Sequence, residues 1–438
     1  MATNIYVSYF NAFGIKSATN TGVTPNTNTK NWHVEESRIK GGFNEDSVNL
    51  GVRAYLVNED YGKEERKNAL TYSGIYNSKT KVNDTNVFSI GDSITKAVDS
   101  GYGSIQKLHA EETNLLIIQE DKTSYALIDK DAIFSAEGSG SVTSTQKVIG
   151  QIVPFTGRYG TIDPNSFAYH GGRKYFADRN RGCVVRLSKD GITEISNYGM
   201  RDFFKDNLTK ASRIVGMWDG HDKQYVLSLQ DGSLSNINNS NERYYTLSFD
   251  EQNLGWTSFY TYKPSFGGSL NGNFYTLKRQ GSGTDYQDLN LYKHYDEDTE
   301  RNQFYGSQVN ESSIKFVVNT NNSIPKVFST ISYEGDKDWK VTSIITDSDK
   351  GNEISKYELP STAAAMENLI FKDTFKKKDN KYYASIKNTT AQQKSEILFG
   401  EQMSGVKGYW AEIEIKTDND GQEKIELYSV DVNATKIN

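Results

Sequence analysis

Phe167-Ala-Tyr-His-Gly-Gly-Arg-Lys-Tyr-Phe-Ala-Asp-Arg-Asn-Arg-Gly-Cys-Val-Val-Arg-Leu-Ser-Lys-Asp-Gly-Ile-Thr-Glu-Ile-Ser196 is the stretch whose reading decides the fold. It parses by turn chemistry. A first strand ends at Gly171-Gly172, and a second covers Lys174–Ala177. A turn at Asn180–Gly182 leads into Val184–Ser188, and Asp190-Gly191 turns the chain into Ile192–Ile195. Gly-Gly, Arg-Gly and Asp-Gly supply the positive φ that tight hairpin turns require. Four short antiparallel strands in succession make one meander.

Working outward, the same texture recurs. Leu115–Gln119, Ser124–Ile128 and Ala132–Ser135 form one unit, with Glu120-Asp121-Lys122 as a turn. Ile214–Trp218, Tyr225–Leu229 and Tyr244–Phe249 form another, with turns at Asp219-Gly220 and Asp231-Gly232. A fourth has Ser269-Leu270, a turn at Asn271-Gly272, then Phe274–Lys278 and Leu289–His294. The second strands begin near residues 114, 174, 224 and 273, a spacing of about 50 to 60 residues. Four-stranded units at such a period predict propeller blades, in which radial repetition protects the strand edges. The units share no Trp-Asp signature, and irregular β-sandwiches built from the same hairpins are the competing reading.

Composition agrees with a β-rich chain. Only 36% of the 438 residues are hydrophobic, yet 28 Tyr and 20 Phe raise the aromatic share to 12%, which disordered chains lack. Tyr and Phe suit half-buried pleated surfaces, while Gly, Asn, Ser and Asp suit turns. The fold class expected is all-β: a propeller-like array of antiparallel four-stranded units with flanking β-sandwich-like segments. Three regions are expected: 1–104, rich in Asn, Thr and Ser; the propeller-like repeats 105–305; and a C-terminal β domain 306–438. Strands are predicted at Val52–Val57, Leu70–Tyr76, Ile314–Val318, Lys326–Tyr333 and Lys340–Ile345. Glu59–Asn68 reads as an exposed loop or a single helical turn. Ala363–Asn368 is the one short helix predicted, and Tyr409–Lys416 with Lys424–Val430 a closing hairpin around Thr417–Gly421.

The formal net charge of −6 gives no broad basic footprint for duplex DNA. The single cysteine, Cys183, excludes a disulfide within the chain and reads as a small buried hydrophobe, as expected after synthesis in a reducing cytoplasm. The N-terminal Met1–Tyr6 lacks the pattern of a secretory signal, and Leu115–Ile118 is far too short to span a bilayer, so no membrane insertion is expected.

A search for chemistry returns little. His33, His109, His170, His221 and His294 are scattered, with no His-x-x-x-His pair and hence no protein-built zinc site. No nucleophile elbow, Walker loop or dinucleotide fingerprint is present. Asp418-Asn419-Asp420-Gly421 resembles the start of a calcium loop, but the twelfth position, which needs a bidentate Glu, is Ser429. The acidic run Asp296–Glu300 reads as a solvated loop. Trp32, Trp218, Trp256, Trp339 and Trp410 could stack on sugars, but each lies in an apolar or strand pattern that fits core packing better. No catalytic, cofactor-binding or metal-binding residue is assigned, and no cofactor is expected.

Several longer segments carry a resemblance. They are Asn31-Trp-His-Val-Glu-Glu-Ser-Arg-Ile-Lys-Gly-Gly-Phe43, Asn68–Tyr76, Ser104-Ile-Gln-Lys-Leu-His109 and the unit from Tyr159 to Phe204. Further along come Ser269–Tyr275, Asn302-Gln-Phe-Tyr-Gly306, Ile331-Ser-Tyr-Glu-Gly335 and Ser404-Gly-Val-Lys-Gly-Tyr-Trp-Ala-Glu412. Together they resemble the tail stabilisation or muzzle (tail nozzle) proteins of tailed bacteriophages, the crAss-like podophages above all. The resemblance implies a non-enzymatic virion structural protein of the tail, made in the host bacterial cytoplasm. It implies copies of the chain arranged in a ring, other tail proteins and fibres as partners, and DNA passing along the axis without specific binding. A receptor- or glycan-binding propeller is the alternative. A depolymerase, with two carboxylates held across a cleft, is a third reading.

Overall fold

A computed structural model describes residues 66–74, 76–83, 85, 87–89, 94–111, 113–134, 140–230, 244–279, 289–306, 309–337, 339–347, 356–358, 375–386, 405–417 and 424–437, with short strands at 13–17, 32–35 and 38–40. The chain divides into two compact units, Met1–Leu291 and Tyr292–Asn438. Among the described residues it is built of β-strands, with one α-helix, Arg201–Leu208.

Four successive antiparallel meanders dominate the first unit. The first sheet comprises Ile105–Ala110, Asn114–Gln119, Thr123–Phe134 and Gly140–Pro154. The second comprises Ala168–His170, Arg173–Asp178, Cys183–Ser188 and Gly191–Glu194. In the third are Arg213–Asp219, Gln224–Gln230, Tyr244–Asp250 and Gly255–Tyr260. The fourth has three strands, Phe266–Leu270, Asn273–Arg279 and Leu289–Lys293. In each, neighbours along the chain are neighbours in the sheet. The second strands begin at residues 114, 173, 224 and 273, so the repeat read from the turns is the repeat of the fold.

Side-chain alternation explains how the sheets stack. Successive residues of a strand point to opposite faces, so a strand apolar at every position can be buried on both. Leu116 and Ile118 of the first sheet share a core with Phe176, Cys183, Val185 and Leu187 of the second. Their neighbour Ile117 turns the other way, into a core with Ala126, Ile149, Leu70 and Val98. In the second sheet, Tyr175, Ala177 and Val184 face the third, where Ile214, Tyr225, Leu227, Leu229, Leu247 and Phe249 meet them. Phe204 and Leu208, one helical turn apart on the helix, close the same core. Tyr175, Phe176, Tyr225 and Phe249 are fully buried, and each contributes about 1.5–3 kcal/mol.

The second unit is a two-sheet sandwich. One sheet orders its strands as Ser313–Val318, Ala411–Thr417, Trp339–Thr346, Lys356–Glu358. The facing sheet centres on Lys326–Gly335, flanked by Lys381–Ser385 and Val406–Gly408 on one side and Leu427–Lys436 on the other, with Lys376–Lys378 beyond Lys381–Ser385. Phe328, Ile331, Tyr333 and Ala384 from the second sheet pack against Trp339, Val341, Ile344, Ile413 and Ile415 from the first.

Four expectations need correction. Ala132 does not begin a separate strand: Thr123–Phe134 runs unbroken through Asp129-Lys130-Asp131, held along its length by Gly140–Pro154, a partner that was not foreseen. The chain does not close in a hairpin. Ala411–Thr417 pairs with Ser313–Val318 and Trp339–Thr346, while Leu427–Lys436 crosses to the facing sheet. The nine residues between them reach easily across sheets about 10 Å apart. Leu70–Tyr76 is interrupted at Ser73-Gly74, leaving short strands Ala69–Thr71 and Tyr76–Asn77. The observed helix begins at Arg201. The helix expected at 363–368, the strand at 52–57, and the turns at 231–232 and 418–421 lie outside the described residues, as does most of 59–68.

Candidate functional site

The joints between sheets carry buried hydrogen bonds and stacked rings. The connection from the first sheet to the second is tied to both. On the first-sheet side, Thr161 N donates to Gln119 O (3.0 Å), Thr123 Oγ1 to Tyr159 O (2.8 Å) and Lys122 Nζ to Gly157 O (2.7 Å). On the second-sheet side, Gly160 N donates to Asp178 Oδ2 (3.1 Å) and Thr161 Oγ1 to Ala177 O (2.7 Å). Arg179 Nε donates to Asp163 Oδ2 at 2.8 Å. Gly160 is required here, since a Cβ would lie 2.4 Å from the carbonyl oxygens of Gln119 and Glu120. Burial pushes the Asp178 carboxyl up to about 6, against the backbone N–H groups of Gly160 and Arg181 that favour its anion.

The third-to-fourth connection repeats the device. Thr246 Oγ1 donates to Tyr262 O, and Gln230 Nε2 and Tyr244 OH both donate to Pro264 O, each at 2.8 Å. Arg213 Nη2 donates to Ser265 O, also at 2.8 Å. In both joints a third-strand threonine bonds the carbonyl of a tyrosine in the outgoing connection. The second strands of the first two sheets also end on a buried polar side chain, Gln119 or Asp178, that fastens the connection entering its own sheet; Gln230, at the same place in the third, fastens the outgoing connection instead. Buried polar groups satisfied in this way make a joint costly to bend, because each bond broken leaves an unpaired group.

Between the second and third sheets the joint is aromatic. His170 stacks on Trp218 (4.4 Å, 8°), Trp218 lies against Tyr175 (5.7 Å), and Tyr175 against Tyr225 (4.9 Å, 15°). Glu251 accepts from Tyr175 OH (2.7 Å) and Arg186 Nη1 (2.8 Å), linking the two sheets by charge as well. Tyr225 OH donates to Ser166 O at 2.7 Å, and Trp256 Nε1 to Ile195 O at 3.0 Å. A second interfacial ion pair, Lys174 with Glu111, joins the first sheet to the second.

The structure does not bring the candidate chemical residues together. His109 lies against Phe167 and Tyr169, with burial as the main cause lowering its pKa; His221 pairs with Asp222; and His294 sits among Tyr295, Phe304 and Tyr305. Burial holds His294 down to about 4 and pushes the Cys183 thiol up to about 12, so neither carries charge at neutral pH. Trp339 is buried and Trp218, Trp256 and Trp410 are half-buried; Trp218 stacks on His170 and Tyr175, and Trp256 packs against Phe204 and Phe249. The acidic run 296–300 is exposed, with one ion pair to Lys293 at 3.7 Å. Among the described residues no three His, Cys, Asp or Glu side chains converge as a metal site. A shallow cavity of about 400 Å³, lined by residues 162–165 and 212–214, holds Asp163, whose carboxylate is already taken by Arg179. No helix among the described residues is long and apolar enough to cross a membrane.

Residues 299–389, which run through both sheets of the C-terminal sandwich, match the family model of the Crassvirus muzzle protein C-terminal domain. Over these residues the chain is similar to the muzzle proteins of crAss-like phages. The resemblance read from the sequence is thereby borne out, and the muzzle domain marks the chain as a structural protein associated with the phage virion tail. No curated protein matches the chain. Among solved structures, an exo-beta-1,3-galactanase from Phanerochaete chrysosporium aligns at 8% identity, over 84% of this chain and 100% of that one, with a TM-score of 0.21. A likeness that weak carries no argument.

Proposed function

We propose that the chain is a non-enzymatic nozzle or tail-stabilisation subunit, several copies of which surround the tail axis. The observation that carries this reading is the muzzle-domain match at 299–389. Sheets buried on both faces, with fastened connections, support a mechanical role. In this reading the three regions 1–104, 105–305 and 306–438 divide the work. The central sheets form a propeller-like body, and the flanking regions contact neighbouring copies, other tail proteins and fibres. Closed rings are the usual assembly of identical subunits joined head to tail. An acidic chain gives DNA moving along such an axis few phosphate contacts to hold it. Assembly takes place in the host bacterial cytoplasm, and the protein needs no cofactor. Sedimentation and mass photometry of the purified chain test the proposal. A discrete ring-sized oligomer, alone or with a tail partner, is the expected result; a monomer at every concentration and with every tail protein would refute it.

A further inference from the structure

The second unit carries a concentrated positive edge. Lys376-Lys377-Lys378 is the edge strand of its sheet, and all three side chains are exposed. A two-residue turn, Asp379-Asn380, with both residues at positive φ, fixes its register against Lys381–Ser385. Lys378 therefore stands directly opposite Lys381, and like charges so placed destabilise a sheet. Lys381 is neutralised by Glu334 at 2.6 Å and Asp431 at 3.1 Å. Lys377 Nζ lies 5.4 Å from the centre of the Tyr382 ring, but among the described residues no carboxylate pairs with Lys376, Lys377 or Lys378. Lysine at a sheet edge keeps stray strands from pairing there. That role explains one lysine without explaining a repulsive pair.

The same unit bears the complementary charge. Asp296, Glu297, Asp298 and Glu300 are exposed on a loop held in one shape. Thr299 N donates to Asp296 O (3.2 Å), the Tyr292 and Tyr305 rings meet at 4.6 Å across its base, and Asn302 Nδ2 donates to Ser312 Oγ at 2.8 Å. Ser312 precedes Ser313–Val318, an edge strand of the facing sheet, so the loop and the lysines belong to edges of different sheets. Asp296 has Lys293 beside it at 3.7 Å, while among the described residues Glu297, Asp298 and Glu300 have no cation.

We propose that the Lys376–Lys378 strand of one copy docks on the Asp296–Glu300 loop of the next, a head-to-tail contact between identical chains. The inference rests on the assembly of copies proposed above and names the contact that orients them. Charge complementarity selects a second copy over DNA. Every chain brings both patches, whereas a duplex would meet a chain of net charge −6 around a three-residue footprint. Because the two surfaces differ, each copy keeps one of them free for its next neighbour, as a closed ring of heterologous contacts requires. Exposed charges of this kind set orientation and are screened by salt.

Charge reversal in the full chain tests the contact, read by mass photometry and sedimentation at low and high salt. One variant carries Lys376→Glu, Lys377→Glu and Lys378→Glu; a second carries Asp296→Lys, Glu297→Lys, Asp298→Lys and Glu300→Lys; a third carries both sets. Each single set is expected to raise the dissociation constant of the oligomer by at least about tenfold, with melting curves unchanged. The third variant should assemble like the native chain, and an equimolar mixture of the first two should form mixed oligomers. Native oligomers should dissociate as salt rises, a measurement that needs no variant to fold. Oligomers indifferent to salt or to both reversals, or a third variant as defective as the first two, would overturn the contact and leave the assembly reading standing. So would a lysine variant that assembles normally but loses low-salt retention on duplex DNA, which would assign the strand to phosphate. A native chain that stays monomeric at every concentration and with every tail protein refutes the assembly reading, and this contact with it.

Discussion

At Gly216, one hydrogen atom separates the third sheet from the turn Pro164–Ser166 that leads into the second. A Cβ there would lie 1.9 Å from Ser166 O and 2.7 Å from Tyr225 OH, and two of the nearest atoms are backbone that cannot swing aside. Gly216→Ala is therefore expected to destabilise the first unit by about 3 kcal/mol, against less than about 0.5 kcal/mol for Gly255→Ala, whose added Cβ meets only Asn253 O at 3.7 Å. Chemical denaturation of the pair measures the difference. Tyr225→Phe removes the donor to Ser166 O in a fully buried setting, and a loss of about 1–2 kcal/mol is expected by the same method. His294 brings a pH dependence. Its folded value of about 4 lies below the ordinary 6.5, because burial disfavours the imidazolium. The unfolded chain therefore takes the proton first, and the contribution, full above about pH 6.5, is lost as pH falls toward 4. Melting curves between pH 7 and 4.5 should show the native protein losing up to roughly 3 kcal/mol more than His294→Gln, and parallel curves would contradict this. Turn residues were legible at this scale: Gly171, Gly172, Gly182, Gly191 and Gly272 all take the positive φ their dipeptides announced. The joint threonines were not. Thr123 and Thr246 do the same work, but their tyrosines lie 36 and 16 residues downstream, so no fixed spacing could reveal the pair.

At the scale of elements, the two units should behave as separate folding bodies. A fragment of residues 292–438 has its own core, with Phe328, Ile331, Val341, Ile344 and Ile413 fully buried, and should unfold in one cooperative transition. Phe328→Ala should lower its stability by about 3–5 kcal/mol, read by denaturant titration of the fragment. A fragment with no cooperative transition would mean that the sandwich depends on the preceding sheets. Strand positions in this unit were largely readable, since Ser313–Val318, Lys326–Gly335 and Trp339–Thr346 lie within two residues of expectation. Their pairing was not. Ala411–Thr417 and Leu427–Lys436 both alternate as a half-exposed strand does, and alternation states which face is buried without stating which sheet receives the strand. The helix at Arg201 was missed for a related reason: eight residues with apolar anchors only at Phe203, Phe204 and Leu208 give too short a period to read.

For the whole molecule, the proposed function is mechanical: a repeated stack of sheets and a sandwich similar to the muzzle C-terminal domain serve through their shape. Turn spacing exposed the repeat, whereas the way the copies meet depends on surfaces that no local pattern encodes. The most direct measurement is a cryo-EM map of the intact phage particle, at a resolution where strands separate. The account expects several symmetry-related copies of this chain at the tail, each showing consecutive four-stranded sheets followed by a two-sheet sandwich. A tail whose density is fully explained by other proteins, with this chain absent from the particle, would contradict it.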